Sequence, residues 1–195
     1  MKRYSVYICL VLLTILIQEA GCFFDLQRPT NTELDASINK LRSADETERY
    51  AGLNEVWGYG KYGKAAFPEA RNLLKDENPY IRSKAIITLD SMGKTGDVIP
   101  ELIGLLGDYN KEYNGPRFYS AIVLGELGAK AYEAVPTLIK LLDDTGTTRW
   151  AAAEALGKIG KAAKPAIPKL RQLLQDEDEF AKGKAREAIN KLESL

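Results

Sequence analysis

A chain of 195 residues, 45% hydrophobic and 28% charged, is long enough for one ordinary globular domain behind a hydrophobic leader, and it carries no low-complexity tract. Its 27 basic and 27 acidic residues cancel, so no basic excess marks a phosphate-binding footprint. With no histidine anywhere, His general bases and ordinary His-ligated zinc sites are excluded.

The chain opens with Lys2 and Arg3, an apolar run from about Val6 to Ile17, and then Gln18, Glu19, Ala20, Gly21 and Cys22. That run is short for a membrane span and reads as an export signal. Cleavage before Cys22 removes Cys9 with the leader and leaves one cysteine at the first mature position. Small residues before a cysteine resemble the lipobox of bacterial lipoproteins, although Glu19 stands where that pattern has Leu. The resemblance implies acylation of Cys22, and two or more lipid chains anchor a protein stably. Phe23 is not the Asp associated with inner-membrane retention, so the outer membrane is implied where the host has two. The expected organisation is 1–21 signal peptide, 22–30 lipidated tether and 31–195 folded domain. The tether, extended, reaches roughly 25 Å, which keeps the domain close to its membrane.

Beyond the tether, Pro29 discourages an early helix, and Asn31 or Thr32 is the expected cap of a first helix presenting Leu34, Ile38 and Leu41 on one face. Arg49 to Tyr59 is the expected second helix, with Leu53 and Val56 inward. A second pair spans about Gly63 to Met92, with Phe67, Leu73 and Leu74 facing Ala85, Ile86 and Leu89. The third spans about Asp97 to Leu127. Its internal loop is three residues longer than that of the fourth, judged by 35 residues from Arg82 to Arg117 against 32 from Arg117 to Arg149. Insertions of this kind fall on one edge of an array, where they touch partners or are simply tolerated. The fourth pair is Ala129 to Gly160. The fifth is about Ala162 to Leu192, with Ile167, Leu170, Leu173 and Leu174 facing Ala185, Ala188, Ile189 and Leu192, and a charged outer face of the kind a terminal repeat needs.

These pairs share a set of recurring residues. Gly60, Gly128 and Gly160 each precede a proline by eight residues (Pro68, Pro136, Pro168), and Gly93 precedes Pro100 by seven. Leu73-Leu74, Leu105-Leu106, Leu141-Leu142 and Leu173-Leu174 follow those prolines, and Arg49, Arg82, Arg117, Arg149 and, one residue late, Lys182 form a basic column. A period in the low thirties with helical patterning means stacked helix pairs. The segments LLKDENPYIRSKAIITLDSMG and LLDDTGTTRWAAAEALGKIG resemble HEAT repeats, specifically the short form of the phycobilin-lyase group, close to LLxDxxxxVRxxAAxALGxIG. The resemblance covers about Asn31 to Leu192. It implies an all-α fold, a right-handed α-solenoid of about five helix pairs, and says little about function.

The resemblance also implies that Arg49, Arg82, Arg117 and Arg149 form a structural ladder with the acidic turns at Asp45, Asp76, Asp108 and Asp144, tying one repeat's loop to the next. The alternative is a groove that collects anions. It further implies that the second helices line a concave face. The positions left over from the core there include Tyr50, Trp57, Ser83, Lys84, Phe118, Tyr119, Glu126, Trp150, Glu154 and Lys158. Tyr50, Trp57, Phe118, Tyr119 and Trp150 would form an interrupted aromatic stripe suited to anchoring a partner, or would pack in part against neighbouring repeats.

Other motifs dissolve on inspection. MGKT at Met92 to Thr95 lacks the glycine a phosphate loop needs, since Thr88 stands five before Gly93. DEDE at Asp176 to Glu179 has Ala181 where a calcium loop needs Gly. Removing Lys2, Arg3 and Glu19 with the leader leaves 25 basic and 26 acidic residues, so the mature chain lacks the charge of a nucleic-acid binder. A bilin-lyase role is disfavoured for an exported chain. The sequence therefore predicts a non-catalytic protein-binding scaffold of the bacterial envelope, without cofactor or metal, with a protein partner bound by Tyr50, Trp57, Lys84, Phe118, Tyr119, Trp150 and Glu154. The alternative is an envelope enzyme or subunit using carboxylates such as Glu126 and Glu154 in the groove.

Overall fold

The computed structural model describes residues 28–110 and 113–195. The expected signal peptide, Cys22 and most of the tether lie outside the described residues. Within them are ten α-helices and no strand. They are α1 (Asn31–Leu41), α2 (Glu46–Tyr59), α3 (Phe67–Asn72), α4 (Pro79–Ser91), α5 (Ile99–Leu105), α6 (Gly115–Glu126), α7 (Val135–Leu141), α8 (Thr147–Ile159), α9 (Ile167–Leu173) and α10 (Glu179–Glu193). Successive helices form five pairs, and each pair packs on the next to make an α-solenoid. No described helix is long and apolar enough to cross a membrane.

The repeated glycine and proline mark the two ends of each connection. Gly60, Gly93, Gly128 and Gly160 follow the ends of α2, α4, α6 and α8 with φ of 52°, 67°, 57° and 81°, a left-handed conformation that a side chain disfavours. A 3-10 segment follows each (Gly60–Ala66, Thr95–Val98, Gly128–Ala134, Gly160–Ala166). Proline then occupies the first turn of α3, α5, α7 and α9, where its missing N–H is not needed. The seven-residue spacing from Gly93 to Pro100 coincides with the shortest of these four segments.

Two boundaries differ from expectation. The cap of α1 is Thr30, whose side chain accepts from the Glu33 N–H while the Glu33 carboxylate accepts from the Thr30 N–H, a reciprocal arrangement that outcompetes Asn31 and Thr32. Helix α2 starts at Glu46 rather than Arg49, because the Asp45 carboxylate accepts from the N–H groups of Thr47 and Glu48.

The core runs the length of the array between the two helix layers. It holds Leu41, Leu53 and Val56 in the first pair, Leu74, Ile86 and Leu89 in the second, and so on to Leu170, Ala185 and Leu192 in the fifth. Phe67, Ile167 and Leu174 are only half-buried, packed against it from the edge. Small residues set the spacing of the second helices. A Cβ on Gly125 would lie 2.8 Å from the Ala155 Cα, and one on Gly157 would lie 2.9 Å from the Ala188 Cα. The longer third loop folds back on the array: Tyr113 stacks on Tyr80 at 4.0 Å between ring centroids, and the Arg117 guanidinium lies 5.5 Å from the centre of the Tyr109 ring.

Candidate functional site

The second helices α2, α4, α6, α8 and α10 pack side by side and present one continuous surface. Along one rim of it runs the arginine column. Arg49 donates to both oxygens of Asp76 at 2.7 and 3.2 Å, and Arg82 to both oxygens of Asp108 at 2.6 and 2.9 Å. Arg117 forms a 2.7 Å ion pair with Asp144, and Arg149 a 2.5 Å contact with Asp176. Arg49 and Arg82 also donate to the carbonyls of their own preceding turns, Ser43 and Ala44 in one case, Asp76 and Glu77 in the other. Arg49 and Arg82 thus tie their own turn to the turn of the following repeat, as Arg117 does through the Leu106 carbonyl, while Arg149 reaches only the following turn. The DEDE turn has the same use: Asp176 takes Arg149, and Asp178 caps α10 by accepting from Phe180 and Ala181.

The aromatic positions separate into two groups. Tyr50 and Trp57 lie seven residues apart on α2, on one face, 42% and 36% exposed. Phe118, Trp150 and Phe180 instead form an edge-to-face row across α6, α8 and α10, with centroid separations of 5.1 and 4.9 Å. Trp150 is only 9% exposed, which corrects its assignment as a partner-binding residue. Trp150 is covered by a ring on either side, while Phe180, at the end of the row, stays 53% exposed. Phe118 and Tyr119 are half-buried against the core, edge-on to each other at 5.1 Å. Phe180 was not singled out in the sequence. Its one signal is position, since it occupies the same place in the first turn of α10 that Tyr80 occupies in α4.

Charges divide the face as well. Toward the C-terminal end an alternating relay joins three helices: Lys158 contacts Glu126 at 2.5 Å and Glu154 at 2.6 Å, while Lys184 contacts Glu154 at 2.9 Å and Glu187 at 3.5 Å. Burial alone would raise the Glu154 carboxyl, but hydrogen bonds from Lys158 and Lys184 win and hold it below the ordinary range. Glu126 and Glu154 are therefore engaged as counter-ions. Toward the N-terminal end, Lys84 of α4 is half-buried with its ammonium 4.5 Å from the Trp57 ring centre, and burial pushes it down to about 8. Half-buried Ile87 and Ile122 continue this region onto α4 and α6. Ser83 is buried and donates to the Pro79 carbonyl at 2.9 Å.

The pairing of short helices, the left-handed glycine at each exit and the inter-repeat ladder together specify an architecture. Residues 116–190 match the family model of HEAT repeats. Among solved structures the chain is similar to the complex of CpcE and CpcF of phycocyanin lyase from Nostoc sp. PCC7120, at 26% identity over 87% of this chain and 68% of that one, with a TM-score of 0.66. It is also similar to a designed armadillo repeat protein in complex with the peptide (KR)4, at 17% identity over 90% and 84% of the two chains, TM-score 0.65. An engineered protein matches at 15% identity over 88% and 89%, TM-score 0.68. No curated protein matches the chain. The fold is an all-α solenoid of the HEAT and armadillo kind.

Proposed function

We propose that this protein is a non-catalytic binding scaffold that holds a protein partner on the N-terminal half of its second-helix face, exported and anchored through an acylated Cys22 in the bacterial envelope. The observation that carries this reading is the contrast within that face. The C-terminal half closes its charges on one another through the Glu126 to Glu187 relay and buries Trp150, whereas the N-terminal half exposes Tyr50 and Trp57 beside Lys84, Ile87 and Ile122. Exposed Tyr and Trp on a rigid surface are good anchors, because they bury large areas at small conformational cost. A designed armadillo protein of similar fold holds a peptide, which supports the reading without naming the ligand here. The absence of histidine from the chain and the engagement of Glu126 and Glu154 in ion pairs support a non-catalytic role.

A photoreactive phenylalanine analogue placed at Tyr50 should give one defined protein adduct in native envelopes. The same analogue at Tyr132, exposed in the 3-10 segment before α7, should give none. Equal labelling at both positions, or none at 50, would remove the binding face from where it is proposed. Metabolic labelling with a palmitate analogue should mark the wild type and not Cys22→Ser; label retained in that variant defeats the anchor.

A further inference from the structure

Eight cations on the second helices are buried or half-buried: Arg49, Arg82, Lys84, Arg117, Arg149, Lys158, Lys182 and Lys184. Seven have a carboxylate within 4 Å: the four arginines in the ladder, Lys158 and Lys184 in the relay, and Lys182 on Glu179. Lys84 alone has none among the described residues. Asp90 on the same helix is not within ion-pairing distance, and Glu126 on the next helix is taken by Lys158. What Lys84 has instead is the face of Trp57 at 4.5 Å, which offsets only part of the loss of water around an ammonium. The fold neutralises every other cation of this layer that it buries, so an uncompensated one leaves a charge for something outside to match.

We propose that Lys84 is the docking point for a carboxylate of the bound partner, supplied by a Glu or Asp side chain with an apolar residue next to it. The inference rests on the binding face proposed above and gives its chemistry. A carboxylate arriving at Lys84 meets a cation already stripped of part of its hydration and held in place by the Trp57 ring. The interaction therefore forms with less further desolvation than at an exposed lysine. The adjoining apolar residue falls against Tyr50, Ile87 or Ile122, exposed or half-buried side chains of α2, α4 and α6. Neutral and basic segments gain nothing from Lys84, and a basic one is repelled.

The test uses three rhodamine-labelled eight-residue peptides, alternating Leu with Glu, with Gln or with Lys, titrated by fluorescence anisotropy against the folded wild type and variants of matched helicity. The Glu peptide should bind the wild type about tenfold more tightly than the Gln peptide, with the Lys peptide weakest. Lys84→Met should erase that preference, Lys84→Arg should keep most of it, and Lys184→Met, which removes a relay lysine, should leave it within about twofold. The proposal is overturned by a preference that survives Lys84→Met, by one lost equally in Lys184→Met, or by no binding of the Glu peptide. Equal binding of the Glu and Gln peptides, with crosslinking at position 50 intact, rejects the carboxylate anchor and leaves the scaffold standing. Loss of both rejects both.

Discussion

Burial pushes the Lys84 ammonium down to about 8 from an ordinary 10.5, so the folded state holds this proton less firmly than the unfolded chain does. Below about pH 8 both states are charged and the penalty on folding is present in full. Between about 8 and 10.5 the folded state sheds its proton first, so the contribution of this group to stability rises with pH across that window. Lys84→Met keeps the length of the side chain and removes the charge. It should raise the melting temperature at pH 7, and the gain should shrink as pH approaches 10. A Tm-against-pH comparison of the two proteins reads this directly, and a gain that does not vary with pH would mean that the methionine acts by packing alone. The same substitution abolishes the proposed carboxylate preference, so stability and recognition are opposed at one residue, as is common where a charge is kept for a partner.

At the level of single helices, glycines inside the second helices do opposite things. Gly125 and Gly157 sit in the seams between α6 and α8 and between α8 and α10, where an added methyl meets backbone rather than a movable side chain. Gly125→Ala should force the two helices apart and cost about 1–3 kcal/mol in urea unfolding. Gly183, inside α10, has nothing within 4 Å of an added Cβ and no left-handed φ. There, Gly183→Ala should stabilise by roughly 0.5–1 kcal/mol by removing backbone freedom from the unfolded chain. If both variants shift stability in the same direction, the close helix spacing at Gly125 is not setting the cost. The repeated L-G-x-x-G signature displays both glycines without showing that the first serves packing and the second serves the left-handed exit.

Across the molecule, stability passes from repeat to repeat through neighbouring interfaces, and the ladder is the polar part of each. Arg82 and Asp108 are 14% and 21% exposed and joined by two hydrogen bonds, so Arg82→Ala strands a carboxylate and uncaps two carbonyls. A loss of about 2–3 kcal/mol is expected. Arg171→Ala breaks an exposed pair with Glu193 and should cost under ~1 kcal/mol. Lysine should not rescue position 82, because one ammonium cannot reproduce a bidentate contact and two carbonyl bonds at once. Urea melts of Arg82→Ala should also broaden, as the first two repeats uncouple from the last three. A sharp transition of unchanged slope would show that the apolar seams carry the coupling alone.

Much of this architecture was legible in the sequence because it is local. The glycine and proline spacing, the Leu-Leu pairs and the Arg-to-Asp distance each act within one repeat or between adjacent ones, so a period of about 32 residues displays them directly. The caps were less legible, since Thr30 wins over Asn31 and Thr32 only through a reciprocal bond with Glu33. The face used for binding was legible only as a set of positions. Which of its aromatics stay exposed depends on how fully the neighbouring repeats cover them: Trp150 has Phe118 on one side and Phe180 on the other and is buried, while Tyr50, Trp57 and the terminal Phe180 remain exposed. Likewise Lys84 and Lys184 sit at equivalent positions, and only the packed array decides that Lys184 meets Glu154 while Lys84, among the described residues, meets the ring of Trp57 and no carboxylate. The sequence by itself determined the repeat and its turns, because they need only chain-local chemistry, and displayed the ladder, because the same Arg and Asp recur from repeat to repeat. The tertiary structure decided which charges are paired and which rings are buried, because that depends on which side chains neighbouring repeats bring together where the same pattern carries different residues.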